Sequence, residues 1–150
     1  MIDPTQIVGF MPRPWLKPGT EPSQIKRFHN DILFRRRILA TGMFGQRLVT
    51  AFQEMYHEIW WDYANPDHVT FADVDFTPNV DHIRSVVGFR NPKLIITFGA
   101  NTHDSVVTAL EDGPHDDIPM LSCPPHDNRF RTQADINGFA TEVRTWCAEH

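Results

Sequence analysis

The sequence is poor in cysteine, and this scarcity bears on compartment and cofactors. Its two cysteines, Cys123 and Cys147, lie far apart and lack the close spacing of a metal site. A disulfide framework normally uses more cysteines than this. The cysteines are compatible with a reducing compartment. We expect neither a metal ion nor another cofactor.

Long apolar runs are also missing. No stretch approaches the roughly 20 apolar residues that a membrane-spanning helix needs. The N-terminus lacks the charged-then-apolar order of a signal peptide. These two absences predict a cytoplasmic protein without a membrane partner.

Internal repeats and low-complexity tracts are absent too. A length of 150 residues suits one hydrophobic core. Residues 1–150 are therefore predicted to form a single domain, of ordinary globular composition apart from twelve prolines and four tryptophans.

The charge is unevenly distributed along the chain. Residues 11–50 carry eight basic and two acidic residues, whereas residues 51–150 carry six basic and sixteen acidic ones. A basic segment on an acidic body is one footprint of nucleic-acid contact. The alternative is a solvated helix face with internal salt bridges. The candidate nucleic-acid-binding residues in this segment are Arg13, Lys17, Lys26, Arg27, Arg35 and Arg36.

Residues 92–110 give the clearest structural pattern. Leu94, Ile95, Ile96 and Phe98 form the near-continuous apolar run of a strand covered on both faces. A helix is expected to follow at once, with Asn101 as its N-cap. Its inward stripe is predicted to contain Val106, Val107 and Leu110.

Two helices are predicted between a first strand at residues 6–10 and the middle of the chain. The first begins at Ser23 as N-cap and ends at the break at residues 40–42. The second covers residues 44–59. Residues 60–63 form an aromatic cluster with no assigned structure. The buried stripe of the first helix is predicted to contain Ile25, Phe28, Ile32, Leu33 and Leu39.

The remaining segments alternate between strand and helix patterns. Strands are predicted at residues 69–76 and 118–123. Helices are predicted to begin at Asn79 or Asp81 and at Thr132, where Asp135 completes a capping box. This order predicts an α/β fold, a three-layer α/β/α sandwich with a mainly parallel sheet of about four strands.

Candidate catalytic and binding residues lie in three loop or strand segments. Asp73 and Asp75 share one face of a predicted strand and can orient water or hold a base edge; a solvent-facing edge strand is the alternative. His126 is a candidate donor in a loop after a strand, or else a structural loop histidine. Arg129 and Arg131 flank an aromatic residue, which suits phosphate and base contact as well as a simple surface turn.

Taken in order, the segments resemble the uracil-DNA glycosylase superfamily. The motifs are Gly-x-x-Pro at residues 9–12, Gly-x-x-Leu at 45–48, a strand ending near a proline at 71–78, a helix at 80–87, Pro-x-x-Ile-Ile-x-x-Gly at 92–99, and Ser-Cys-Pro-Pro-His at 122–126. The resemblance implies a protein that flips a nucleotide out of DNA and cleaves the bond between base and sugar.

The chain departs from that family at positions that carry its chemistry. Residues 10–12 are Phe, Met and Pro, none of which polarises water, and Cys123 stands where the family has a donor histidine. The resemblance therefore implies a protein that acts on or binds DNA through a flipped or modified base, with hydrolysis altered or lost. The implied catalytic residues are Asp73, Asp75 and His126. The implied base pocket contains Phe10, Met11, Phe44, Cys123 and Asn128.

Two other function classes fit the same pattern. One is a small-molecule enzyme or sensor that binds a nucleotide at the turn of residues 99–101. The other is a protein-interaction module that uses the aromatic residues and the two charge poles. The expected partner is accordingly DNA, single- or double-stranded, or another ligand that contains a nucleobase.

Overall fold

Four strands form one all-parallel sheet in the computed structural model, which describes residues 1–12, 21, 23, 24, 27, 30–66, 78–123 and 132–150. The side chains of residues 32, 35, 41 and 43 are outside that description. The spatial order is β2-β1-β3-β4. The strands are β1 (Ile7–Met11), β2 (Trp60–Tyr63), β3 (Leu94–Phe98) and β4 (Met120–Cys123).

Helices cover both faces of this sheet. The first face packs against α1 (Ile32–Thr41), α2 (Met43–Phe52) and α5 (Gln133–Glu149). The second face packs against α3 (Val80–Arg90) and α4 (Ala100–Leu110). The predicted three-layer α/β/α sandwich with a parallel sheet of four strands is thereby confirmed for the described residues. No helix in the described part of the chain is long and apolar enough to cross a membrane.

The two faces of β1 belong to different cores. Ile7 and Met11 pack in the cluster under α1, α2 and α5, whereas Val8 and Phe10 pack in the cluster under α3 and α4. This alternation is the period of two expected of a strand. Complete burial of each large apolar side chain stabilises the fold by roughly 1.5–3 kcal/mol.

Close backbone approach explains the glycines of two motifs. A Cβ atom on Gly9 would lie 2.6 Å from Cε3 of Trp61, so a bare backbone in β1 lets the indole pack across it. A Cβ atom on Gly45 would overlap the carbonyl of Leu39 at the junction of α1 and α2. Both glycines therefore serve packing.

The second strand corrects the sequence interpretation. Residues 60–63 form β2, which pairs in parallel with β1, Val8 opposite Trp60 and Met11 opposite Tyr63. The predicted strand at residues 69–76 lies outside the described residues. The strand beside β1 is therefore the aromatic segment, whose side chains alternate between the two cores.

Helix α1 begins later than predicted. Its N-cap is Asp31, whose carboxylate accepts from the amides of Leu33 and Phe34. Ser23 has helical backbone, so it is not the cap of α1. Leu33 is 67% exposed, so its predicted place in the buried stripe is wrong. The predicted stop at residues 40–42 is confirmed, since Gly42 is the C-cap.

The other predicted helix boundaries are partly right and partly wrong. Asn79 caps α3, and Thr132 with Asp135 forms the predicted capping box of α5. The second predicted helix ends at Phe52 and continues as a 3₁₀-helix, Gln53–His57. Helix α4 has Gly99 as its N-cap instead of Asn101. Val107 is 46% exposed and does not belong to the inward stripe.

Candidate functional site

The carboxyl ends of all four strands lie along one edge of the sheet, because the strands are parallel. The pairing of β1 with β2 continues past both strands: the amide of Ala64 donates to Met11 at 2.7 Å, and the amide of Asn65 donates to Pro12 at 3.0 Å. Open α/β sheets bind ligands at this edge. Asn65 is therefore placed beside the Gly-x-x-Pro segment.

A row of paired residues crosses the second face one step before that edge. Phe10 of β1 is opposite Asp62 of β2 on one side and Thr97 of β3 on the other, and Thr97 is opposite Ser122 of β4. Asp62 and Thr97 are almost fully buried, at 1% and 0% exposure. Buried polar side chains in a sheet need specific partners, and histidines supply them here.

The carboxylate of Asp62 accepts hydrogen bonds from its neighbours in the sheet and from α3. Its carboxylate accepts from the indole N–H of Trp60 at 2.9 Å and from the amide of Tyr63 at 2.8 Å. Nε2 of His82 lies 2.7 Å from its Oδ1. Burial alone raises the pKa of Asp62, but the hydrogen bond and charge of His82, together with these other donors, bring it below its ordinary value. Asp62 is thus ionised at neutral pH.

The ionised carboxylate decides which nitrogen of His82 bears the proton. A carboxylate only accepts, so Nε2 of His82 must be the donor. In the neutral ring, Nδ1 then carries the lone pair. The His82 side chain is 24% exposed, whereas that of Asp62 is 2% exposed. The pair therefore has one buried charge and one ring that solvent reaches, the arrangement of an oriented general base.

Local structure places His82 at the sheet edge. It lies in the first turn of α3, where the side chain of Asn79 accepts from its backbone amide at 3.0 Å. Helix α3 runs antiparallel to β2, because His82 in its first turn contacts Asp62 and Arg90 in its last turn contacts Trp60 at the start of the strand. The cap thereby fixes the backbone from which the imidazole reaches Asp62.

A second histidine makes a similar contact on the other side of Phe10. Nδ1 of His103, in the first turn of α4, lies 3.1 Å from the hydroxyl of Thr97. Gly99, the N-cap, has φ 99° and makes no side-chain cap hydrogen bond. The His103–Thr97 pair carries no carboxylate, so it lacks the charge that distinguishes Asp62–His82.

The predicted base-pocket residues divide between the two faces. Met11 and Cys123 are buried in the first-face core, and Phe44 packs edge-on against Phe98 there, with ring centroids 5.4 Å apart. Phe10 lies in the opposite core. The structure therefore brings Met11, Phe44 and Cys123 together and separates Phe10 from them. Asn128 lies outside the described residues.

The predicted basic residues have different surroundings. Arg27 forms a 3.6 Å ion pair with Asp31 and stacks over Phe34 at 4.3 Å. Arg36 reaches the ring of Trp60 at the sheet edge, 5.8 Å from its centroid. Arg35 lies in α1 and its side chain is not described. The residues outside the description are Arg13, Lys17, Lys26, Arg129 and Arg131.

The predicted catalytic residues Asp73, Asp75 and His126 also lie outside the described residues, so they stay predictions. Sequence reasoning missed Asp62 and His82. The signal for Asp62 was the alternation of residues 60–63, in which Trp60 and Asp62 share one face. The signal for His82 was its position three residues after the predicted cap Asn79.

No family model, curated protein or solved structure matches this chain. Within the described ranges, no group of three or more His, Cys, Asp and Glu side chains is placed to hold a metal ion.

Proposed function

We propose that this chain is a uracil-DNA glycosylase-like protein that binds DNA through a flipped or modified base at the carboxyl edge of its sheet. The observation that carries the proposal is the Asp62–His82 pair, a buried carboxylate and a partly exposed imidazole beside that edge. The order of motifs from residue 9 to residue 126 supports the same conclusion. In this proposal hydrolysis is altered or lost, because residues 10–12 offer no side chain that positions water as the family's first motif does.

In this proposal His82 replaces the missing water-positioning group. Its Nδ1 takes a proton from water as the water oxygen bonds to the sugar carbon, and the electron pair of the carbon–nitrogen bond leaves with the base. Asp62 stabilises the imidazolium that forms. Asn65, placed beside Pro12, is the polar residue proposed to contact the edge of the base.

Excision is tested with oligonucleotides that contain uracil or other altered bases, followed by alkali to cut the strand at abasic sites. The expected result is cleavage with at least one base, reduced about 10²- to 10⁴-fold by His82→Gln. His57→Gln, at an exposed site in the 3₁₀-helix, is the matched control. Absence of cleavage with every base removes the enzymatic part of the proposal, and an active His82→Gln variant removes the assigned role.

Binding is tested separately from excision. Contacts to phosphates release counterions, so affinity for DNA should fall steeply as salt rises. An affinity for DNA that does not change with ionic strength contradicts the proposed DNA contact. Tighter binding to DNA with an altered base than to ordinary DNA is the result expected of a flipped-base site.

One observation favours a second candidate, a nucleotide-binding enzyme or sensor. The first turn of α4 lacks a side-chain cap, and His103 in that turn contacts Thr97. Helix N-termini bind phosphate groups. This candidate predicts a rise in melting temperature with a free nucleotide and none with DNA, which is the reverse of the first proposal.

A further inference from the structure

Two arginines from opposite layers contact the indole of Trp60, which lies in the outermost strand of the sheet. The guanidinium carbon of Arg90, in the last turn of α3, lies 3.3 Å from the centroid of the Trp60 ring. That of Arg36, in α1, lies 5.8 Å from the same centroid. The two cations are therefore no farther apart than the sum of these distances. Trp60 is the first residue of β2, so this cluster lies at the end of the strand away from Asn65.

Neither guanidinium has a carboxylate partner among the described residues within salt-bridge distance. Arg36 donates to the carbonyl of His57 at 3.4 Å, and its buried Nε has no hydrogen-bond partner in the described part of the chain. Burial and the charge of Arg36 lower the pKa of Arg90, and the charge of Asp62 partly offsets that effect. Two like charges without a carboxylate at salt-bridge distance among the described residues are the complement of an oxyanion.

An exposed aromatic residue borders Arg90. Phe89 is 85% exposed, and the guanidinium carbon of Arg90 lies 5.8 Å from the centroid of its ring. Trp60 is already covered by Arg90, so Phe89 is the ring with a face open to a ligand. Positive charge beside an exposed aromatic ring is how proteins bind single-stranded nucleic acid without reading its sequence.

We propose that Arg36, Phe89 and Arg90, supported by Trp60, bind single-stranded nucleic acid, with a phosphate between the guanidiniums and a base on Phe89. Phosphates attract Arg forks through paired, charge-assisted hydrogen bonds, and any base presents a flat face to the phenyl ring. The site rests on the proposed function in one respect, that DNA is the polymer bound. Its phosphate and base contacts use residues other than His82 and Asn65, although the indole N–H of Trp60 also donates to Asp62.

The test measures the affinity of a fluorescently labelled single-stranded oligonucleotide of ordinary bases at several salt concentrations. Arg90→Gln should weaken binding about threefold to tenfold and reduce the slope of log affinity against log salt by about 0.7. Arg36→Gln should do the same if its melting temperature is retained. Phe89→Ala should weaken binding about fivefold or more with an unchanged slope. The matched controls are Arg37→Gln, also on α1, and Val107→Ala, also exposed and apolar.

Each alternative outcome has one meaning. Equal effects of Arg90→Gln and Arg37→Gln overturn the site, because net charge alone then explains binding. Unchanged oligonucleotide affinity in Phe89→Ala, together with weaker binding in Arg90→Gln, shows a phosphate site only and overturns the nucleic-acid assignment. Base excision with normal salt slopes in all variants removes this inference and leaves the proposed function. The variant effects without any preference for altered bases leave the inference and remove the proposed function.

Discussion

Nε2 of His82 lies 2.7 Å from Oδ1 of Asp62, across the gap between the first turn of α3 and the buried face of β2. The contact joins a helix to a strand and places a charge beside the mainly apolar core of the second face. Trp60 and Tyr63 also donate hydrogen bonds to that carboxylate. Removing the charge or its partner therefore affects both folding and chemistry.

Asp62→Asn should destabilise the protein by about 1.5–3 kcal/mol at neutral pH, because it removes a buried carboxylate whose charge strengthens the hydrogen bonds from Trp60, Tyr63 and His82. The folded-state pKa of Asp62 is lowered, so the stabilisation from its charge is complete above its unfolded pKa of about 4. It is lost as the pH falls through the lower folded pKa. Urea unfolding of both proteins should show the difference shrinking below about pH 4. A difference independent of pH contradicts the ionised pair.

The phenol of Tyr56 should lose its proton at a higher pH than an ordinary tyrosine does. Burial raises its pKa to about 12, against a smaller lowering by the charge of Arg36. The folded state therefore holds this proton more tightly, and stability present below about pH 10 is lost as the pH rises toward 12. Ultraviolet absorbance should show a tyrosinate transition near 12 that Tyr56→Phe removes. Loss of an ordinary transition near 10 in that variant contradicts the burial effect.

Gly9→Ala should destabilise the protein by about 1–3 kcal/mol, because the new methyl group overlaps the indole of Trp61. Gly138→Ala is the matched control, since nothing lies within 4 Å of a Cβ atom there. Gly138 is inside α5, so alanine should stabilise it by about 0.5–1 kcal/mol. Chemical denaturation gives both values. A neutral Gly9→Ala shows that β1 and β2 pack less closely than described.

Leu48→Ala should cost about 2–5 kcal/mol, whereas Leu33→Ala should change stability by less than about 0.5 kcal/mol. Leu48 is fully buried in α2, and Leu33 is 67% exposed in α1. The same substitution at two helical sites thus isolates burial from helix propensity. Similar losses at both sites, measured by urea unfolding, contradict the orientation of α1.

The fold class could be predicted because the strongest patterns belong to its centre. The apolar run of β3 is buried on both faces, as such a run requires, and the caps at Asn79 and Thr132 satisfy backbone donors locally. The start of α1 was predicted at Ser23 and lies at Asp31, because residues 23, 24, 27 and 30 already have helical backbone and the extended backbone of Asp31 interrupts the helical pattern. Only Asp31 caps that helix.

The candidate site was far less predictable than the fold. Asp62 and His82 are 20 residues apart and meet only after β2 has paired with β1. A four-residue aromatic strand gives a weak periodic signal, because one period of alternation also fits a helix end. Arg36 and Arg90 come from different layers, so no sequence window contains both.

The position of β1 has a consequence for how the chain assembles. It is the first strand in the sequence and an interior strand of the sheet, and its partner β3 begins only at Leu94. During synthesis, the side of β1 that pairs with β3 stays unpaired until Leu94 has been synthesised. A nascent chain therefore carries an unpaired apolar strand edge, which invites aggregation. Folding is expected to be slow for a domain of this size. The chain between β1 and β3 must lose conformational entropy before the contacts between these two strands form.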